Sequence, residues 1–378
     1  MKSTGKEKKT SRPAPGREKI LLERVPRSGL VRLEAEDMDG VIDVSLRPSR
    51  IAEFVGQERL KENLHVALSA AKKRKEPLEH LLFSGPPGLG KTSLAHIIAH
   101  EMGSKIVVTS GPAIKRAGDL VSMLTNLEKG DIIFIDEIHR LPKVVEEFIY
   151  PAMEDYRIDF TVGDTVKGAA KGAYTKTIPF LLQRFTLIGA TTRQGLLSAP
   201  LRDRFGLSFH LDFYEPEDLR RILERSAKIL GIGIDARAAL ALAGRSRGTP
   251  RIANRLLRRV RDWAQVKAHP AVTVDVVGQA LKSHDIDESG LDALDRKVLR
   301  ALVDSYDGGP AGVESLAAML NEEVDTIVDV VEPYLLKSGY LKRTSRGREA
   351  TALAYEHLKL SKNADKRSRD LFEPGQSQ

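Results

Sequence analysis

The chain contains no cysteine. Disulfides and thiolate-held metals are therefore excluded. It also lacks any apolar run long enough to span a bilayer, and its first residues lack the apolar core of a signal peptide. These absences point to the cytoplasm and away from a membrane. What is present is a 378-residue chain with 41% hydrophobic residues, enough for ordinary cores in two or three domains. A formal net charge of +8 and a pI near 9.4 suggest a polyanionic partner. A merely basic, solvated surface is the plain alternative.

The most informative stretch is Gly85-Pro-Pro-Gly-Leu-Gly-Lys-Thr-Ser93. It follows a strand-like segment and opens a helix-like one. That is the context of a phosphate loop, whose backbone N–H groups face phosphate oxygens at a helix N-terminus. Lys91 would reach the β- and γ-phosphates of ATP, and the Thr92 hydroxyl would ligate Mg²⁺. Downstream, Ile132-Ile-Phe-Ile-Asp136-Glu137 reads as a buried strand ending in two acids. Asp136 would hold the metal, and Glu137 would activate the attacking water. Short glycine-rich matches arise by chance, but the two motifs together indicate an ATP hydrolase.

Residues 1–40 form a basic Lys/Arg/Ser/Pro/Gly-rich tail, expected to be disordered. Residues 41–214 alternate helix and buried strand. Strands are expected at Leu81–Ser84, Ile106–Thr109, Ile132–Ile135 and Thr186–Ala190, giving an α/β parallel sheet with helices on both faces. Both nucleotide motifs fall at carboxyl ends of strands, where such sheets bind ligands. Residues 215–285 read as a small helical lid. Residues 286–358 read as three helices and a basic β-hairpin turning at Arg346-Gly347, a winged-helix pattern. A polar tail, 359–378, is again expected to be disordered.

Further groups sit where an ATPase of this architecture needs them. The strand Thr186-Leu-Ile-Gly-Ala-Thr-Thr192 ends in hydroxyls that can sense a γ-phosphate, or that simply cap a strand. Leu201-Arg-Asp-Arg-Phe205 offers two arginines, one of which could reach a neighbouring subunit's γ-phosphate. A surface salt-bridge cluster is the alternative. Pro250 in Gly248-Thr-Pro-Arg251 is a helix-start signal that sets Arg251 in the first turn, within reach of phosphates or merely exposed.

On these residues the chain closely resembles the RuvB family, AAA+ motors that drive branch migration of Holliday junctions in bacteria. The resemblance runs from Leu46-Arg-Pro48 to Tyr355. Beyond the nucleotide motifs it rests on Pro151-Ala-Met-Glu-Asp-Tyr156, Leu201-Arg-Asp-Arg-Phe-Gly206, Gly248-Thr-Pro-Arg-Ile-Ala-Asn-Arg255 and Arg343-Thr-Ser-Arg-Gly-Arg348. It implies an AAA+ P-loop domain, a lid and a C-terminal winged helix. Leu46 and Arg47 would line the adenine pocket. Gly88, Gly90, Lys91, Thr92 and Ser93 would form the phosphate loop. Thr191 or Thr192 would be the first sensor, Arg204 the trans-acting finger and Arg251 the second sensor. Glu154, Asp155 and Tyr156 match a segment near nucleotide at a subunit boundary, and Tyr214 would sit beside the base. Arg343 and Arg348 would contact DNA backbone.

The resemblance also implies a homo-hexameric ring around double-stranded DNA, a partner RuvA at the junction, and RuvC resolvase acting on the product. Between Asp159 and Phe185 this chain is longer than the family leads one to expect. Ile178 and Phe180 fall near the apolar tip of the family's RuvA-docking hairpin, with Pro179 between them. Three rival functions share some of these features. A clamp-loader-like switch needs no winged unit. A protein unfoldase grips peptide with an aromatic pore loop, which Ser110-Gly-Pro-Ala-Ile-Lys-Arg-Ala-Gly118 lacks. A regulator that only binds ATP has no need of Glu137.

Overall fold

The computed structural model describes residues 45–163 and 175–360. The two tails read from composition, and the middle of the long 159–185 segment, lie outside these residues. By compactness the chain separates into residues 1–47 and 48–378.

Its centre is a five-stranded parallel sheet in the order β2-β3-β6-β1-β7. The strands are β1 (Leu81–Ser84), β2 (Ile106–Ser110), β3 (Ile132–Asp136), β6 (Thr186–Thr191) and β7 (Leu207–His210). Four were expected. The fifth, β7, lacks a continuous apolar run because it is an edge strand of alternating exposure. The central strands are apolar on both sides, as a doubly covered sheet requires. Phe83, Phe134 and Ile188 pack on one face with the Glu58–Arg74 and Lys91–Met102 helices. Leu82, Ile133 and Ile135 pack on the other with Leu120, Ile149 and Phe185.

The first of these cores continues into four helices at Pro216–Ile229, Ala236–Gly244, Pro250–Val266 and Val274–Ser283. Leu219, Leu223, Leu242, Leu256 and Val277 are among their buried apolar positions. Pro216 and Pro250 each sit in a first turn, where a missing N–H costs nothing.

A third core, including Leu299, Leu316, Ile327 and Leu335, belongs to residues beyond the lid. Helices Ala293–Tyr306 and Val313–Leu320 precede a helical stretch from Val324 to Lys337, which passes through a π-helical turn at Ile327–Val331. Strands β8 (Leu341–Thr344) and β9 (Gly347–Ala350) form the antiparallel wing. The turn falls at Ser345-Arg346, one residue earlier than expected. Gly347 is already in the ladder at φ 144, pressed so close to the Ala311 carbonyl that no Cβ would fit. Among the described residues no helix is long and apolar enough to cross a membrane.

The remaining pair, β4 (Arg157–Gly163) and β5 (Thr175–Leu181), is a separate antiparallel hairpin. Pro179 lies within it, opposite Asp159. The Leu182 N–H donates to the Tyr156 carbonyl at 2.7 Å. By the antiparallel alternation, Asp159–Pro179 is then a non-hydrogen-bonded pair, so the ladder loses no donor at the proline. Ile178 and Phe180 are 47% and 45% exposed.

Candidate nucleotide site

The carboxyl ends of β1, β3 and β6 lie side by side. Ser84 is level with Thr191, and β6 separates β1 from β3. The phosphate loop therefore follows β1, the acid pair follows β3, and the threonines sit between them. Gly88 adopts φ 81 with the Arg251 Cβ over it, and an added Cβ would come within 3.0 Å. The glycine thus permits both the loop's turn and the approach of the lid arginine. The Arg251 N–H donates to the Gly88 carbonyl at 3.3 Å. Gly90 is the left-handed residue that opens the Lys91–Met102 helix.

Lys91 is buried and donates to the carbonyls of Gly85 and Pro86, each at 2.8 Å. Burial lowers its ammonium to about 8, with Asp136 raising it and Arg251 lowering it further. A bound polyphosphate would bring negative charge beside it and favour the ammonium form further. The Thr92 hydroxyl lies 3.5 Å from Asp136 Oδ2. These two oxygens suit a hard cation that takes its other ligands from phosphate and water, which is the habit of Mg²⁺. Among the described residues no group of three or more His, Cys, Asp or Glu side chains is placed to hold a metal by itself. Glu137 follows at φ 47, ψ 44, a left-handed conformation. Its carboxylate accepts from Arg140 Nη1 at 3.3 Å.

Of the two candidate sensors, Thr191 is fully buried, and its hydroxyl meets His139 Nδ1 at 2.9 Å. It also accepts the Arg193 N–H at 3.0 Å. Burial holds the His139 imidazole below its usual range. Thr192 is half-buried, and both hydroxyls remain candidates. Tyr214 is buried at the hinge into the lid. Its hydroxyl donates to the Leu89 carbonyl at 3.2 Å and its N–H to Gly248 at 2.9 Å. Burial pushes its phenol far up. Ser93 lies in the first turn after the loop. Leu46 and Arg47 belong to the first compact unit.

Not every predicted nucleotide residue lies at this edge. Glu154, Asp155, Tyr156 and Arg204 stand at the amino ends of the strands. Tyr156 packs edge-on against Phe185, just before β6, and near His80, just before β1. Arg204 lies three residues before the start of β7. Its guanidinium lies 4.4 Å over the Tyr150 ring, bonds Glu154 at 3.1 Å and donates to the Pro200 carbonyl at 2.7 Å. These four residues are therefore at the opposite edge of the sheet from the chain's own phosphate loop.

Arg348 departs from the role expected of it. The residue is 8% exposed and is paired with Glu332, which is 2% exposed, through contacts at 2.5 and 3.2 Å. The guanidinium is committed to the winged fold and is not offered to a phosphate. Arg343 and the turn residue Arg346 are exposed. Arg343 and Arg348 are directly paired across the wing and share a face, so alternation does not separate them; β9 is flanked on its other side by Ala311, and from it Arg348 reaches Glu332.

Residues that carried no sequence signal also meet here. Arg193 donates to Asp329 at 2.7 and 2.6 Å and to Asp325 at 2.8 Å. Arg140 donates to Asp325 at 2.9 Å. Only the four-residue spacing of two acids on one helix face hints at this from sequence.

Comparison with known proteins agrees with this architecture. Three family models match in succession. They are described as the Holliday junction DNA helicase RuvB P-loop domain (residues 46–211), the RuvB AAA lid domain (214–287) and the RuvB C-terminal winged helix domain (288–359). A protein of Dehalococcoides mccartyi, named Holliday junction branch migration complex subunit RuvB, is 56% identical over 328 residues, covering 87% of this chain and 92% of its own. One of the same name from Desulfosudis oleivorans is 53% identical over 343 residues, covering 90% and 98%. The solved structure of Thermotoga maritima RuvB, titled a Holliday junction branch migration motor, is similar with a TM-score of 0.76 and 48% identity. The match covers 84% of this chain and 99% of that one.

Proposed function

The chain belongs to the RuvB family, and on that premise we propose that it is an ATP-driven motor that moves double-stranded DNA at Holliday junctions during recombination and repair. It is a P-loop nucleotide-binding protein of the AAA+ class. The reading extends to a homo-hexameric ring in the cytoplasm, working with RuvA and feeding a junction resolvase such as RuvC. Its working parts are the domains 41–214, 215–285 and 286–358.

The observation that carries the reading is the division of the nucleotide residues between two edges of one sheet. Lys91, Thr92, Asp136, Glu137 and Arg251 are at the carboxyl edge, and Arg204 with Glu154 is at the amino edge. Arg204 is placed to serve a nucleotide held by another copy, and identical copies joined head to tail form a ring where the rotation between neighbours closes. In that ring Lys91 and the loop N–H groups bind the phosphates. Thr92 and Asp136 would hold Mg²⁺, which neutralises phosphate charge when bound. Glu137 accepts the proton of the attacking water, and the neighbour's Arg204 meets the charge developing on the γ-phosphoryl group. Arg251, on a lid helix that touches Gly88, carries the state of the phosphates into the lid.

Arg343 and Arg346 supply exposed charge for DNA backbone. Replacing Arg343 by Ala is expected to weaken duplex binding for all sequences alike and to lower the slope of affinity against salt by about one. Arg348→Ala is expected to act differently, by stranding a buried Glu332 and costing about 3–5 kcal/mol of winged-unit stability. Thermal melting beside salt-dependent duplex binding separates the two. A stable Arg348→Ala protein with only a reduced salt slope would return Arg348 to the DNA surface.

The functional test is dissociation of a synthetic four-way junction with ATP and Mg²⁺, with and without RuvA. ATP-dependent conversion to two-armed duplexes, stimulated by RuvA, is expected. Hydrolysis stimulated by DNA without junction movement would favour a loader-like switch. In the same assay the Ile178→Ala/Phe180→Ala protein is expected to lose RuvA stimulation and keep its basal ATPase. Unchanged stimulation would remove the exposed hairpin face from the partner contact.

A further inference from the structure

The ion pairs between the ATPase domain and the winged unit converge on the two loops that carry the catalytic acid and the sensor threonines. Arg140 is three residues after Glu137, and Arg193 directly follows Thr192. Both reach Asp325, and Arg193 also reaches Asp329. Asp325 and Asp329 are spaced by four on the helical stretch whose π turn runs over Ile327–Val331. Interrupted helices of this kind gather at functional positions. The Arg193 guanidinium uses Nε and Nη2 on the two oxygens of Asp329, the forked arrangement that fixes direction as well as distance. Asp325 accepts from both arginines, one on each oxygen.

Isolated exposed pairs contribute little to stability, and these side chains are only partly buried. Their importance lies in where the charge goes. Arg140 has two carboxylates to serve, Glu137 at 3.3 Å and Asp325 at 2.9 Å. A guanidinium shared in this way holds Glu137 weakly. Without Asp325, the same guanidinium is free to close on Glu137 with both arms. A carboxylate with both oxygens engaged by a guanidinium has none turned toward an attacking water.

We propose that Arg140 and Arg193 are positioning residues through which the winged unit controls ATP hydrolysis. When Asp325 and Asp329 hold the two arginines, Arg140 keeps only one long contact to Glu137, which leaves the carboxylate able to act on water. When the winged unit moves away, Arg140 returns to Glu137 and turnover falls. The DNA-contacting unit thereby reports its position to the catalytic glutamate. This rests on the proposed ATPase reading, and it adds a route between domains that the nucleotide motifs do not contain.

The test is steady-state ATP hydrolysis by the full chain, with kcat and KM measured separately and thermal melting as the folding control. Asp325→Asn/Asp329→Asn keeps the side-chain size and removes the charge. It is expected to lower kcat about tenfold, the scale of one coupling between sites, with KM for ATP little changed. Asp325→Glu/Asp329→Glu keeps the charge and is expected to retain most of the rate. Adding Arg140→Ala to the Asn pair removes the group that captures Glu137 and is expected to recover most of the lost kcat, a result that loose packing would not produce. An Asn pair with wild-type kcat, or a loss that Arg140→Ala fails to relieve, would overturn the proposal. If the Asn pair fails to fold, recovery is read instead in Asp325→Asn alone, which leaves the Arg193–Asp329 fork in place. Wild-type protein with no ATPase would defeat the parent reading instead, so the two failures are distinguishable.

Discussion

Arg204→Ala is expected to lower ATP turnover about 10³–10⁵-fold, the range over which arginine fingers act. The loss should fall on the chemical step and leave nucleotide affinity of the same chain nearly intact, because Arg204 is on the far edge of the sheet from its own Lys91. Its anchors explain why it can work as a finger. Tyr150 stacks under the guanidinium, and Glu154 and the Pro200 carbonyl each take a bond, so the charge is oriented before a neighbour arrives. Glu154 is itself exposed, so its release by the substitution should not unfold the domain. Mixing Arg204→Ala with Lys91→Ala subunits checks the trans geometry. A Lys91→Ala copy still offers its arginine, and an Arg204→Ala copy still offers its phosphate loop. At equal proportions about one interface in four is then complete. Activity recovered on mixing, from two proteins inactive alone, is the expected result. Mixed rings that stay inactive would remove Arg204 from the neighbour's site.

Glu137→Gln is expected to cost about 10²–10⁴ in turnover, the usual contribution of a positioned base. ATP binding should survive, since Lys91, the loop amides and Arg251 are untouched. Lys91→Ala should instead lose binding as well as turnover. Nucleotide affinity beside single-turnover hydrolysis separates the two variants. Full turnover in Glu137→Gln would transfer the base to another group. The neutral amide also offers Arg140 a weaker partner than a carboxylate. The Gln variant should therefore be insensitive to the charge of Asp325, and combining it with Asp325→Asn should lower the rate no further.

The nucleotide loop was legible because its chemistry is local. A phosphate cradle needs consecutive residues in one backbone shape, and Gly85 to Ser93 are consecutive. The same holds for Asp136 and Glu137 at the end of a four-residue apolar run, and for Pro250 ahead of Arg251. The winged unit is legible from its helices and basic hairpin, although the turn falls one residue before the Arg346-Gly347 pair that signals it. β7 was missed because an edge strand need not be apolar on both faces.

Tertiary structure decided what depends on distance across the fold. Arg343 and Arg348 look equivalent in sequence and share a face of the wing, yet one is exposed and the other is locked on Glu332, because only β9 is flanked by Ala311 and within reach of that acid. Tyr156 and Arg204 match a nucleotide-site pattern, but strand direction puts them on the edge away from their own nucleotide. The Arg193–Asp329 fork joins residues 136 positions apart, and ordinary composition hides both members. Sequence alone determined the family, the phosphate chemistry and the order of the domains, since each is carried by contiguous residues. Only the fold determined which charges are buried, which edge each faces and which domains they bind, because those depend on contacts between segments far apart in the chain.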